Sequence, residues 1–228
     1  MSRIDELIAE HCPDGVHYPR LSEVARIRNG KDYKHLQEGA IPVYGSGGIM
    51  TYVAAAAYDK PSVLIPRKGS LSKLYYVDEP FWTVDTIFYT EVSDLISPKF
   101  FYYYLLTQRL EELNQAGGVP SLTQSVLNEL RIPLPPMPVQ QEIVRILDAM
   151  TTLQAELQAE LQAELAARRS QYEFYRESLL SFNDAGTPPW RWVAMGEIAE
   201  VRSGWGFPLS EQGLTTGDVP FYKVSDMN

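Results

Sequence analysis

Hydrophobic and polar positions follow two different periods along this chain of 228 residues. Ile4, Leu7 and Ile8 share a short helical period, which Cys12-Pro13-Asp14-Gly15 ends. From Leu21 to Phe101 the pattern changes to short runs rich in β-branched and aromatic residues, separated by turn residues. Val53–Tyr58, Ser62–Ile65, Lys73–Val77 and Thr86–Thr90 are the expected strands. A helix is expected from Pro98 through the aromatic run Phe100–Tyr104 to Asn114, stopped by Gly117-Gly118, and a second over Ser121–Leu130. Ile132-Pro133-Leu134-Pro135-Pro136-Met137-Pro138 reads as an extended connector, because proline both lacks an N–H and disfavours helix before it.

Beyond the connector, Val139–Phe182 runs for 44 residues without glycine or proline and is filled with strong helix formers. The expectation is a single helix of roughly 65 Å at 1.5 Å per residue. Its large apolar side chains form a ladder: Ile146, Met150, Leu153, Leu157, Leu161, Leu165, Tyr172, Tyr175, Leu179 and Phe182. With the gap at Arg168 filled, the mean step is 3.6 residues, the natural helical period, so the stripe stays on one side with little supercoil. Such a stripe is the packing face of a helix that requires a helical partner.

Two repeats organise the chain. Inside the long helix Gln-Ala-Glu-Leu occurs three times in succession, at Gln154, Gln158 and Gln162. Over a longer range, Leu21-Ser-Glu-Val-Ala-Arg-Ile-Arg-Asn-Gly30 is echoed by Met195-Gly-Glu-Ile-Ala-Glu-Val-Arg-Ser-Gly204, at an offset of 174. Ile41-Pro-Val-Tyr44 is echoed by Val219-Pro-Phe-Tyr222 at 178. Two ordered matches at nearly one offset predict a duplication whose second copy stops soon after it begins. The expected organisation is a first domain over 1–137, a helix over 138–183 and the opening of a second domain over 187–228.

Composition narrows the class. Apolar residues are 45% of the chain, enough for a sizeable core, and no apolar run reaches the ~18 residues of a membrane span. A start lacking the apolar stretch of a signal peptide and a lone Cys12 point to a reducing cytoplasm. His11, Cys12 and His17 lack a fourth ligand and a paired spacing, so no metal is expected. The net charge of −9 is unevenly spread: nine cations face four acids between Arg20 and Lys73, giving that stretch +5. A local basic face on an acidic chain suits a partner carrying phosphates. No phosphate-loop motif, no Asn/Asp-Pro-Pro-Tyr/Phe methyltransferase motif and no nuclease-like carboxylate cluster occurs, so neither catalysis nor a cofactor is expected.

Several motifs stand in a recognisable order. They are Tyr44-Gly45-Ser46-Gly47-Gly48-Ile49, Ile65-Pro66-Arg67-Lys68-Gly69-Ser70, Phe81-Trp82-Thr83-Val84-Asp85-Thr86, and the proline connector running into Gln140–Asp148. Together with the tetrapeptide repeat they resemble the specificity subunits of type I restriction–modification systems, over essentially the whole chain. Members usually carry two target recognition domains and two long helices, so this chain resembles a half-length form. The resemblance implies an α+β fold. A mixed-strand recognition domain with short helices is followed by one long, coiled-coil-like spacer helix and a partial second recognition domain. It further implies sequence-specific reading of double-stranded DNA and docking of methyltransferase subunits and, through them, restriction subunits, with no catalysis of its own. With the second helix missing, a homodimer through the ladder from Ile146 to Leu179 is expected. The alternative is a coiled-coil scaffold that does not touch DNA.

Candidate DNA contacts emerge from residue chemistry. Arg67 and Lys68 end an apolar strand beside a flexible turn, where arginine can bridge guanine O6 and N7 while Lys68, Ser70 and Lys73 hold phosphate. Ser46 and Gly47 form a loop that either admits DNA closely or is simply a tight turn. Lys31 and Lys34 lie in a polar loop suited to phosphate. Tyr44 can stack on DNA or belong to the core, and Ser121 either lines the DNA side or caps the next helix.

Overall fold

The computed structural model describes residues 2–114, 120–180 and 193–202. The chain divides into two compact units, Met1–Glu164 and Leu165–Asn228. In the first unit, α1 (Arg3–His11) is opened by a capping box in which Ser2 and Asp5 satisfy each other's backbone N–H. Next come α2 (Leu21–Val24), β1 (Ala25–Asn29), β2 (Glu38–Gly45), β3 (Gly48–Val53), β4 (Ser62–Pro66), β5 (Tyr75–Val77), β6 (Trp82–Thr83) and β7 (Ile87–Val92). They are followed by α3 (Pro98–Thr107), a 3-10 turn at Leu110–Leu113, α4 (Gln124–Asn128) and the long α5 (Met137–Leu180).

The strands make two sheets. One is antiparallel in the order β1-β7-β4-β5; the other, β3-β2-β6, pairs β2 with β3 antiparallel and with β6 parallel. Strand β4 is buried along its whole length, because it faces two cores at once. Val63 and Ile65 point into the larger core with Leu21, Ile27, Phe101 and Leu105, while Leu64 points the other way, toward Tyr44, Phe81 and Ile87. Ladder pairing between β4 and β7 ends at Leu64 and Tyr89. Beyond it the buried hydroxyls of Ser62 and Thr90 complete the bonding: each receives a backbone N–H and donates to a carbonyl, at 2.7–3.0 Å.

The first turns of α5 are pinned to this domain by polar groups. Gln140, fully buried, accepts from Ser97 N at 2.8 Å and donates to Leu95 O at 3.0 Å and Pro135 O at 2.8 Å. Glu142, 4% exposed, receives both arms of Arg145 at 2.7 and 2.9 Å, with Arg3 Nε at 3.7 Å. Asp148 accepts from Lys99 Nζ at 2.8 Å and Tyr103 OH at 2.6 Å. Farther along, the ladder lies open: Met150, Leu153, Leu157 and Leu161 are 61–67% exposed. In the second unit Leu165, Tyr172, Tyr175 and Leu179 are exposed too, whereas Ile146 is half-buried.

The α+β class and the single long helix agree with expectation; several boundaries do not. The strand expected at Val53–Tyr58 does not form: β3 starts at Gly48, because the tight turn lets pairing resume at once, and ends at Val53, beyond which only Tyr58 makes an isolated bridge to Phe81. The strand expected from Lys73 begins only at Tyr75. The helix expected to reach Asn114 breaks after Thr107. Leu105 and Leu110 are both buried, yet five residues apart they would lie roughly 140° apart on one helix, so the chain must bend to bury both. Its glycine stop lies outside the described residues. The next helix starts at Gln124 with Thr123 as its cap, instead of Ser121. The long helix begins two residues early, at Met137, because a proline in a first turn loses no helical hydrogen bond.

The opening of the second copy is partly described. At the offset of 174, α6 (Met195–Ile198) matches α2 in form: both are four-residue helices between extended residues, closed by the N–H of the next alanine onto the first carbonyl. Residues 199–202, the counterparts of most of β1, form no strand, and the rest of the repeat and Phe182 lie outside the described residues.

Candidate nucleic-acid interface

Two glycine turns build one surface of the first unit. After β2, Gly48 adopts φ +121°, a value that reverses the chain at little cost only for glycine. After β4, Gly69 adopts φ +85°, and a Cβ there would meet Ser46 Oγ at 3.7 Å, so the two turns lie against each other. Lys73 Nζ donates to Gly47 O at 3.1 Å, Tyr75 OH to Ser46 O at 3.3 Å, and Ser46 N to Thr86 Oγ1 at 3.3 Å. A third segment joins: Lys68 and Ser121 form an antiparallel bridge, with Gly69 N donating to Pro120 O and Leu122 N to Arg67 O. Ser46, Gly47, Arg67, Lys68, Ser70, Lys73 and Ser121, scattered over 76 residues of chain, thus meet.

Lys31 and Lys34 sit on a separate loop. Lys31 N donates to Thr83 O at 2.7 Å and its carbonyl accepts from Trp82 Nε1 at 2.9 Å, which ties the loop to β6 and leaves both lysines exposed. Tyr44 belongs to the core. Its ring packs on Tyr75 and Phe81, and burial raises the pKa of its hydroxyl above that of free tyrosine. Phe81 and Trp82 are buried as well, and Tyr103 and Tyr104 spend their hydroxyls on Asp148 and on Arg131 O.

This surface gathers three cations, Arg67, Lys68 and Lys73, that meet no carboxylate among the described residues. Elsewhere five cations are neutralised, Arg20 by Glu129, Arg28 by Glu91, Lys99 by Asp148, Arg109 by Glu112 and Arg145 by Glu142, while Arg26, Lys60 and Arg131 meet no carboxylate among the described residues. Among the described residues, Lys31, Lys34, Arg67, Lys68 and Lys73 have no carboxylate partner. Arg67 instead lies over the ring of Phe88, 5.8 Å from its centre, and reaches Asp85 O at 3.5 Å. Unpaired cations beside exposed backbone make a surface for a polyanion. Among the described residues no three His, Cys, Asp or Glu side chains group to hold a metal, and no helix is long and apolar enough to cross a membrane.

Sequence reasoning missed Asn29 and Gln124. With Arg67, Lys68, Phe88 and Ser121 they line a hollow of about 200 Å³. Asn29 carries no motif, and the pairing of β1 with distant β7 brings it here.

Comparison with known proteins fits this geometry. The profile described as Type I restriction modification DNA specificity domain matches residues 13–167. The chain belongs to this family. A Haemophilus influenzae protein named as a type I restriction enzyme specificity subunit is 35% identical over 221 residues, covering 92% of this chain and 56% of its own. The chain therefore spans about half the length of the curated relatives it matches. Two solved structures share the fold. The S subunit of a type I restriction–modification system from M. genitalium has a TM-score of 0.56 at 22% identity, covering 72% of this chain and 46% of its own. The HsdS subunit from Thermoanaerobacter tengcongensis has 0.52 at 20%, covering 68% and 44%.

Proposed function

We propose that the chain is a non-catalytic, cytoplasmic DNA reader of a type I restriction–modification complex. Residues 1–137 recognise one half of a bipartite site, residues 138–183 set the spacing and residues 187–228 open a second recognition domain. One observation carries this reading. Arg67, Lys68 and Lys73, three cations without acid partners among the described residues, gather around two glycine turns and the bridge at Ser121. Lys68, Lys73 and Lys31 lie on backbone phosphates, and Arg67 approaches a base edge. Methyltransferase subunits dock on the same chain and bring restriction subunits with them. The open ladder of α5 favours a homodimer in which the ladders of two copies pack on each other, so the recognised DNA is an interrupted palindrome.

The test is sequencing of the DNA selected by the chain together with its methyltransferase subunits. A consensus with two identical inverted half-sites is expected, with binding that weakens steeply as salt rises. Arg67→Ala and Lys68→Ala are expected to weaken binding while melting stays within the change of about 0.5 kcal/mol typical of surface sites. Salt-insensitive binding, or none, would favour a coiled-coil scaffold instead.

A further inference from the structure

Asn29 ends β1 and Gln124 begins α4, 95 positions apart, yet Gln124 Nε2 donates to Asn29 Oδ1 at 3.2 Å. Both sit on supported backbone. Asn29 is in ladder register with Phe88. Gln124 lies between buried Leu122, whose N–H is bound to Arg67 O at 2.9 Å, and the fully buried Leu127, with Thr123 capping the helix onto Val126 N at 3.3 Å. The hydrogen bond dictates how the glutamine amide faces. Its Nε2 is directed at Asn29 Oδ1, which leaves the second Nε2 hydrogen and Oε1 without partners among the described residues, at the rim of the hollow that Arg67 and Lys68 also line.

We infer that Gln124 reads the adenine of an A·T pair, and that Asn29 is the positioning residue fixing its amide. This rests on the DNA-reading function proposed above and names one of its specificity determinants. An amide offers one donor and one acceptor side by side. That pattern complements adenine N7 and N6–H₂ in the major groove and no other base edge there. Lysines hold phosphate and carry no sequence information, whereas an amide oriented by a second amide on rigid elements does.

The full chain, assembled with its methyltransferase subunits, is given randomised duplex DNA at fixed salt, and the bound pool is sequenced. The wild-type half-site is expected to contain an invariant A·T pair. Gln124→Ala makes that single position degenerate, losing a preference of roughly 5- to 150-fold and leaving the others intact. Gln124→Glu, which only accepts hydrogen bonds, moves the preference there to cytosine, whose N4 amino group donates. Asn29→Asp keeps the acceptor and preserves the preference even as affinity falls; Asn29→Ala loosens it. A half-site with no A·T pair, or Gln124 variants that bind every sequence equally more weakly, would overturn the inference while leaving DNA reading intact. No selected DNA from the wild type would overturn both.

Discussion

The first three turns of α5 and the turns beyond them belong to one continuous helix and are solvated in opposite ways. From Val139 to Asp148 the helix carries Gln140 and Glu142 into the interior, with the hydrogen bonds of Gln140 met by the domain and those of Glu142 by Arg145 of the same helix. From Met150 onward it carries methionine and leucine out into water, 61–67% exposed as far as Leu161. Helix propensity explains the continuous backbone in both stretches. It does not explain the side-chain environments. The base is specified by directional bonds to groups of the same chain, while the ladder presents an apolar stripe to solvent, the face on which the proposed second helix packs.

Four experiments probe that contrast. The largest effect is expected from Gln140→Ala, which leaves the buried Pro135 O and the part-buried Ser97 N and Leu95 O without their partner. At about 1–3 kcal/mol per orphaned group, partly relieved by relaxation, unfolding in urea is expected to show a loss of about 3–5 kcal/mol. A loss under about 1 kcal/mol would mean that apolar packing holds the base. Next is the double change Leu157→Lys and Leu161→Lys. Light scattering is expected to report half the mass of the wild-type dimer, while the stability of the dissociated chain moves by no more than about 0.5 kcal/mol. A wild-type monomer at micromolar concentration would remove the ladder's proposed role.

A smaller effect concerns pH. The Arg145 hydrogen bonds hold the Glu142 carboxyl below the usual glutamate range. Its ionised form therefore stabilises the fold fully above the unfolded-state value of about 4.3, and that contribution fades as pH falls through the lower folded value. Denaturation midpoints of Glu142→Gln are expected to decline less with acid than those of the wild type; parallel curves would show that this pair does not feel pH. The smallest stability change is expected for deletion of Gln158–Leu161, which shortens the helix by about 6 Å and rotates its remaining turns by a net ~40°, keeping the seam nearly aligned. The half-site bases are expected to persist and the spacer to shorten. Selection of bound DNA by both chains checks this, and an unchanged spacer would refute the ruler role.

Much of the architecture was legible in the sequence. The ladder and the run free of glycine and proline announced α5, because helical period is a local property. Ser62–Ile65 and Thr86–Thr90 announced the central strands for the same reason. The break after Thr107 was hidden, since it arises from burying Leu105 and Leu110 together in a core assembled from distant segments. The basic turns of the candidate interface were visible as Arg67-Lys68-Gly69-Ser70 and Ser46-Gly47. Their meeting with Ser121 was not, and Asn29 and Gln124 could not be found, because a single polar side chain at an element's end carries no periodic or spacing signal. Tyr44 shows the converse: a tyrosine beside a glycine turn looks equally like a contact and a core residue until its ring neighbours are known.

The bonds around Gln140 have a mechanical consequence. From Gln140 to Glu164 the helix extends about 36 Å, so it acts as a lever held at its base by Gln140 and, two turns on, by Asp148. A tilt of about 5° at the fulcrum sweeps the far end through about 3 Å, close to the ~3.4 Å between successive bases on a DNA strand. Apolar contacts at the pivot would let side chains slide with little resistance. The hydrogen bonds of Gln140 to Ser97 and Leu95, with those of Lys99 and Tyr103 to Asp148, instead restrain the tilt by direction, as a spacer that sets base-pair register would require.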